Sequence, residues 1–201
     1  EVNGRLLDTC VDAANPRGAN EFGHILEIEE LGGDAAATRF RWNVFLLAGD
    51  PAAPGARFLA EAARLRPGEL AARDTYFAGA TATAALAPIA CPDNLGFDPA
   101  GHLWIVTDGA QPRGDNNGAF AVPVDGPERG QLRQFMSAPL GAEVCGCEFT
   151  PDGTTLFLSV QHPGEGGTLA RPVSDWPDGG GRVPRPSVIA IRRDDGGRVG
   201  S

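Results

Sequence analysis

The feature of this sequence that most constrains its fold is an internal repeat. Residues 97–106 (FDPAGHLWIV) return roughly 50 positions later as residues 149–158 (FTPDGTTLFL). Both copies read as a strand, a Pro-x-Gly turn and a second strand. Proline presets φ at the turn and glycine accepts a positive φ, so each copy predicts a β-hairpin. The spacing is close to that of a four-stranded propeller blade.

Alternating apolar and polar residues predict further strands around these two hairpins. They lie at residues 24–29, 39–47, 118–124, 131–135 and 187–192. We therefore predict an all-β fold, a partial β-propeller of about two and a half four-stranded blades. The predicted division is a half blade over residues 1–90, a blade over 91–140 and a blade over 141–201.

Complete propellers have four to eight blades, so a chain with two and a half cannot close the ring. We expect it to be the C-terminal portion of a larger propeller, a single segment whose neighbours are the remaining blades of the same protein. Association of copies through the open blade edges, as a homo-oligomer, is the alternative. The chain begins at Glu1 without a methionine, which we interpret as the mark of an excised or processed segment.

Two stretches depart from the strand pattern. Residues 54–69 are rich in helix formers and end before Pro67-Gly68, which predicts one short helix in a loop between strands. Residues 163–186 are rich in glycine and proline, which predicts a long, mobile surface loop.

Composition excludes several classes of function. The chain has 17 basic residues, all of them arginine, against 26 acidic ones, for a net charge of −9. Such an acidic chain is a poor nucleic-acid binder, and no apolar run approaches the roughly 18 residues of a membrane span. Serine-elbow, P-loop and His-Glu-x-x-His motifs are absent. Cys145 and Cys147 are too close together for the usual zinc pair, so we expect the cysteines to be small buried apolar residues.

Oxygen donors recur just before each predicted hairpin, where the innermost strands of a propeller end. Asp93 and Asn94 precede the first copy, Glu143 and Glu148 precede the second, and Asn20 lies at the corresponding place in the half blade. Carboxylates and carboxamides that converge on a channel suit a hard cation such as Ca²⁺. The sequence therefore predicts a metal site; the alternative for each acid is an exposed loop residue.

Other polar residues near these strands have simpler interpretations. Asp98 and Asp152 are predicted to cap the Pro-x-Gly turns, and Asp108 to belong to a turn before Gly109. His162 follows a predicted strand, where it could serve as a ligand, an acid or a structural residue.

Arg17 lies in an Asn-Pro-Arg turn beside the predicted ligands. A guanidinium next to a metal cluster is suited to a bidentate grip on phosphate or carboxylate. The alternative is an ordinary surface arginine.

At these positions the sequence resembles the PhoX-type alkaline phosphatases, a family of secreted metal-dependent phosphatases. The matching segments follow one order along nearly the whole chain: residues 14–25, 41–50, 93–105, 118–120 and 141–165. The resemblance implies a β-propeller with a calcium–iron cluster (Ca²⁺ and Fe³⁺) that hydrolyses phosphomonoesters. It also implies export by the twin-arginine route, hence a periplasmic or secreted location.

The resemblance also implies roles for individual residues. Arg17 would hold the phosphate, and Asn20, Asp93, Asn94, Glu143 and Glu148 would ligate metal. Two departures from the family pattern bear on this site. Ala19 stands where some relatives carry a carboxylate, and no cysteine here matches the iron-binding cysteine of the family. We therefore expect the C-terminal part of such an enzyme, inactive in isolation.

Two other functions remain open at this point. The hairpin at residues 150–157 is also typical of calcium-dependent lactonase-like propellers, which need one metal and no phosphate clamp. A non-catalytic interaction propeller is the third hypothesis.

Overall fold

The computed structural model of the chain describes residues 11–54, 70, 73–80 and 85–201. Within these residues the fold is built from three antiparallel sheets and is nearly devoid of helix. The first two sheets enclose one apolar core and the second and third enclose another. The prediction of an all-β, partial propeller is confirmed. The predicted helix within residues 54–69 lies outside the described residues.

The first sheet has the order β1-β2-β3. It consists of His24–Glu30 (β1), Phe40–Leu47 (β2) and Tyr76–Phe77 (β3). The short 3-10 turn Leu31–Gly33 joins β1 to β2, and Gly32 has a φ of 80° there, which glycine accepts without steric cost. The predicted hairpin of the half blade is therefore present, with β3 as an additional short strand.

The second sheet is a complete four-stranded blade in the order β4-β5-β6-β7. Its strands are Pro92–Phe97 (β4), Leu103–Thr107 (β5), Gly118–Val122 (β6) and Arg133–Ser137 (β7). Asp98 accepts hydrogen bonds from the backbone N–H groups of Ala100 (2.9 Å) and His102 (3.0 Å). This is the turn-capping role predicted for Asp98.

The third sheet has three strands, in the order β10-β9-β8. They are Glu143–Phe149 (β8), Leu156–Gln161 (β9) and Ser187–Ile191 (β10). After β10 the chain turns back, and Val199 donates its N–H to the carbonyl of Gly153 at 2.9 Å. The last residues therefore pack against the hairpin turn and add no fourth strand.

The innermost strands of the second and third sheets, β4 and β8, pack closely against each other. A Cβ atom at Gly96 in β4 would lie 2.6 Å from the sulfur and 2.8 Å from the carbonyl oxygen of Cys147 in β8. Glycine is needed at this position because the two strands leave no room for a side chain. This contact sets the relative position of the two strand ends that carry the site.

No helix in the described part of the chain is both long enough and apolar enough to cross a membrane.

The first sheet carries an exposed apolar patch. Ile28 pairs with Trp42 across β1 and β2, and Phe40 lies two residues from Trp42, so all three share one face of the sheet. Ile28, Phe40 and Trp42 are 59%, 56% and 42% exposed.

Candidate metal centre

Four strand ends meet at one place between the second and third sheets. Pro92 at the start of β4 pairs with Thr107 at the end of β5, and Glu143 at the start of β8 pairs with Gln161 at the end of β9. In an antiparallel pair the start of one strand lies opposite the end of the other. Residues 93, 108, 143 and 162 are therefore brought to the same edge.

Glu143 lies at the centre of two overlapping groups of candidate metal ligands. In the first group the Glu143 carboxylate lies with the carboxylate of Asp93 and the thiol of Cys145. In the second group it lies with the carboxylate of Asp108 and the imidazole of His162. Within each group the ligand atoms lie within 4.8 Å of one another. Glu143 is buried, at 7% exposed, while Asp93, Asp108 and His162 are exposed. A carboxylate held in place beneath solvent-facing ligands suits a cation that must still be reached by a substrate.

Asp108 and Glu143 place two carboxyl groups in direct contact. Their hydrogen bond, partial burial and the charge of Glu143 together raise the pKa of Asp108 above its usual value. Two carboxylates this close repel each other unless a proton or a cation lies between them. The pair therefore favours a bound cation.

His162 completes the cluster from the end of β9. Its Nε2 lies 3.6 Å from Glu143 Oε1, and its Nδ1 lies 3.3 Å from Glu165 Oε2. Burial lowers the pKa of His162, but the carbonyl of Gly141 and the two glutamates outweigh it, so the pKa is raised overall. The imidazole therefore lies among negatively charged groups, where it can pair with a carboxylate or bind a metal.

Cys145 was predicted to be a small buried apolar residue, and the structure corrects this. Its side chain is partly exposed, and its thiol donates to Glu143 Oε1 at 3.1 Å and accepts from the amide of Gln161. Burial and the neighbouring Glu143 raise the pKa of Cys145 to about 11. In the absence of a cation the thiol is therefore protonated; a coordinated cation would reverse this by stabilising the thiolate.

Arg17 is fully buried. One terminal nitrogen donates to the carbonyls of Ala48 (2.8 Å) and Asp74 (2.7 Å). The other donates to the carbonyl of Gly23 (2.7 Å) and to the side chain of Asn20. Burial lowers the pKa of Arg17 to about 10, against the opposing charge of Asp74. The guanidinium thus ties the Asn-Pro-Arg turn to the end of β2.

The turn that holds Arg17 adjoins the start of β4. Cys91 donates its N–H to the carbonyl of Phe22 at 2.8 Å, and a Cβ atom at Gly23 would lie 3.3 Å from Pro92. Pro92 directly precedes Asp93. Residues 22–23, which Arg17 contacts through the carbonyl of Gly23, therefore lie against the start of the strand that carries Asp93.

The other predicted ligands have separate surroundings. The Asn20 amide nitrogen contacts Asn15 Oδ1 (3.2 Å) and His24 Nδ1 (2.7 Å). Asn94 accepts a hydrogen bond from the N–H of Gly146 at 2.9 Å. Glu148 is exposed and pairs with Phe157 further along the β8–β9 ladder. Glu148 is not part of the two groups around Glu143, and the metal roles of Asn20, Asn94 and Glu148 stay predictions.

Backbone strain concentrates at the same segments. Among the described residues, four that are not glycine have a positive φ, and three of them are Ala19 (49°), Cys91 (49°) and His162 (31°). Ala19 belongs to the turn of Arg17, Cys91 precedes β4, and His162 is itself a candidate ligand. Such conformations cost free energy and are found preferentially at functional sites.

Asp108 and Cys145 are the members of the cluster that sequence reasoning did not assign to the metal site, and His162 was left open between a ligand, an acid and a structural residue. The local signal at Asp108 is a turn, and that at Cys145 is a small apolar residue. A clue was available in the antiparallel hairpin, because the residue after β5 must lie opposite the start of β4.

Strand order, apolar cores and an acidic cluster at the strand ends together define a propeller segment with a candidate metal centre. A family model described as alkaline phosphatase PhoX matches residues 2–164. A solved structure, Pseudomonas fluorescens PhoX in complex with vanadate, a transition state analogue, is 35% identical to the chain with a TM-score of 0.72. That match covers 95% of this chain and 30% of the solved one. A search of the curated proteins found no significant match.

The chain belongs to the PhoX alkaline phosphatase family. It spans only 30% of the length of the solved relative. The resemblance inferred from the sequence segments is thereby confirmed.

Proposed function

We propose that the protein to which this chain belongs is a metal-dependent phosphomonoesterase, in which the chain supplies one wall of the active site. The observation that carries this proposal is the pair of ligand groups sharing Glu143, set beside the turn of Arg17. Family membership favours this activity over the lactonase-like and non-catalytic hypotheses. The isolated segment, with about a third of the relative's length, is expected to be inactive.

The donor set around Glu143 fits the metals that the resemblance implies. The carboxylates of Asp93, Asp108 and Glu143 are hard oxygen donors of the kind that Ca²⁺ prefers. His162 and Cys145 add nitrogen and sulfur, which suit a transition metal such as Fe³⁺. We propose that Ca²⁺ and Fe³⁺ are the cations held here.

Bound cations would polarise the phosphoryl oxygens and lower the pKa of an attacking water. In the reaction the water oxygen bonds to phosphorus, the ester P–O bond breaks, and the departing alcohol takes up a proton. A phosphate dianion would be repelled by a chain of net charge −9, so positive charge at the site must offset this field. The residues of this chain hold and orient that charge.

We propose Arg17 as the residue of this chain that faces the phosphate, as the family resemblance implies. Its four terminal N–H groups are used by protein oxygens, and its buried Nε has no partner among the residues that the structure describes. Because Arg17 is fully buried, it would reach the phosphate only after it releases the side chain of Asn20.

We propose that another blade of the same protein covers the apolar face formed by Ile28, Phe40 and Trp42. These side chains point away from the second sheet, since Glu27 on the opposite face of β1 pairs with Arg129 at 2.7 Å. A homo-oligomer through the same face is the alternative partner. We also propose a periplasmic or secreted location, on the basis of the family.

The test uses the full-length protein, purified with Ca²⁺ and Fe³⁺ and assayed with p-nitrophenyl phosphate. Glu143→Gln should lower kcat/KM at least about a hundredfold, because it removes the charge shared by both ligand groups. Glu29→Gln, on the exposed surface of β1, is the matched control and should retain full activity. Absence of phosphatase activity in the metal-loaded wild-type protein would refute the proposal.

A further inference from the structure

The segment 163–186, expected to be a mobile loop, is closely tied together in the structure. Arg185 donates two hydrogen bonds to the carboxylate of Asp178, both at 3.0 Å. Asp175 accepts from the N–H groups of Gly179 (2.8 Å) and Gly181 (3.0 Å). These contacts fold the loop into a defined shape.

The folded loop borders a cavity of about 280 Å³ that is open to solvent. Its two ends meet at the cavity, because a Cβ atom at Gly164 would lie 2.9 Å from Pro184. Leu169, Arg182 and Val183 form part of its lining. A volume of this order holds a small organic group rather than a whole large ligand.

The cavity lies beside the candidate metal centre, since Glu165, whose neighbour Gly164 lines the cavity, contacts His162 at 3.3 Å. Gly164, in its lining, follows His162 by two residues. The N–H of Glu165 donates to the carbonyl of Gly141 at 3.1 Å, and Gly141 precedes Glu143 by two residues. The loop is thus anchored to both sides of the ligand cluster.

The lining combines exposed apolar side chains with an arginine. Leu169 and Val183 are 85% and 65% exposed, so both side chains are accessible to a ligand. The Arg182 side chain makes no hydrogen bond or ion pair with any residue that the structure describes. A guanidinium stacks well on flat unsaturated rings and attracts anionic esters.

We propose that this cavity receives the organic group of the phosphomonoester, and that it favours esters with a planar aromatic group. Leu169 and Val183 contact the ring edge and face, and Arg182 stacks on it while the phosphate reaches the cluster at Glu143. The inference rests on the proposed phosphomonoesterase function and names the substrate class for the same site.

The test compares benzyl phosphate with methyl phosphate as substrates of the full-length, metal-loaded protein. Val183→Asp should raise KM for benzyl phosphate about tenfold, the scale of a lost apolar contact, with KM for methyl phosphate unchanged. Val188→Asp is the matched control, since Val188 is 68% exposed on β10 outside the cavity. Leu169→Asp serves as a second variant, and thermal unfolding establishes that each variant is folded.

Binding of benzylphosphonate, a non-hydrolysable analogue, gives a readout independent of turnover. Calorimetry should show a Kd about tenfold weaker for Val183→Asp than for wild type, and no change for methylphosphonate. An active enzyme in which folded Val183→Asp and Leu169→Asp treat the benzyl and methyl compounds alike would overturn the cavity assignment and leave the phosphatase proposal intact. A wild-type protein that neither binds phosphonates nor hydrolyses either ester would overturn both.

Discussion

The carboxylate of Asp50 accepts two hydrogen bonds from the guanidinium of Arg113, at 2.7 and 2.6 Å, across the boundary between the first and second sheets. Asp50 follows β2, and Arg113 lies in the 3-10 turn Pro112–Gly114 after β5. The pair joins the sheet that anchors Arg17 to the sheet that carries Asp93. It therefore helps to set the relative position of the two halves of the site.

This pair predicts a pH-dependent contribution to stability. The hydrogen bonds from Arg113, and its charge, hold the pKa of Asp50 below its usual value despite partial burial. A depressed carboxyl pKa gives stability that is present above the unfolded pKa and is lost as pH falls through the folded one. Asp50→Asn should melt below wild type at pH 6, and the two melting curves should converge towards pH 3. A constant difference across this range would contradict the pairing.

The contact between Gly96 and Cys147 predicts a stability effect at the inner strands. Gly96→Ala would place a methyl group 2.6 Å from the cysteine sulfur, and the backbone of β8 must then move. We expect a loss of about 2 kcal/mol in the free energy of unfolding, measured by urea denaturation. Gly18→Ala is the control, because its added methyl would make only an ordinary 3.8 Å contact. Equal losses for both variants would rule out the close approach of β4 and β8.

Trp104 is completely buried, and Asp98 provides the hydrogen-bond acceptor for its indole N–H. Trp104 Nε1 donates to Asp98 Oδ2 at 3.1 Å. Asp98→Ala leaves this N–H without its acceptor and removes the turn cap, at an expected cost of about 3 kcal/mol. Asp152→Ala, at the exposed equivalent turn, should cost much less. Thermal unfolding, followed by tryptophan fluorescence, measures both losses. A loss for Asp152→Ala as large as that for Asp98→Ala, or larger, would contradict the importance of the indole contact.

Arg17 is predicted to be structural as well as functional. Arg17→Lys keeps the charge, but its three N–H donors leave at least one of the four oxygens around it without a donor. An unsatisfied buried acceptor costs about 1–3 kcal/mol, so the free energy of unfolding should fall by at least that amount. Chemical denaturation of the purified variant measures this loss. Full stability in Arg17→Lys would show that the guanidinium network is dispensable.

The hairpins of the fold were predictable because their signals are local. In the repeat 97–106 and its copy, proline and glycine determine the turn whatever surrounds it. The third sheet was harder: residues 141–201 were predicted to form a blade, but the sheet has three strands and Val199 bonds to Gly153 of the hairpin turn. Which neighbour a short segment chooses depends on tertiary packing, which alternation does not encode.

The candidate site was predictable only in part for the same reason. Asp93 and Glu143 stand out by recurring before each hairpin, and the structure brings them together. Asp108 and His162 join them through antiparallel pairing and the packing of β4 on β8. Glu148 shares the recurrence but lies further along β8, since the bulge between Cys145 and Glu148 interrupts the register.

The central claim is that Glu143 is a shared ligand of a metal centre. Anomalous X-ray diffraction from crystals of the full-length protein grown with Ca²⁺ and Fe³⁺ tests it directly. The account predicts anomalous peaks within about 2.6 Å of the Glu143 carboxylate, with Asp93 or Asp108 as a second ligand. Metal peaks that are all remote from Glu143, in a map where its carboxylate contacts only Cys145, Asp108 and His162, would contradict it.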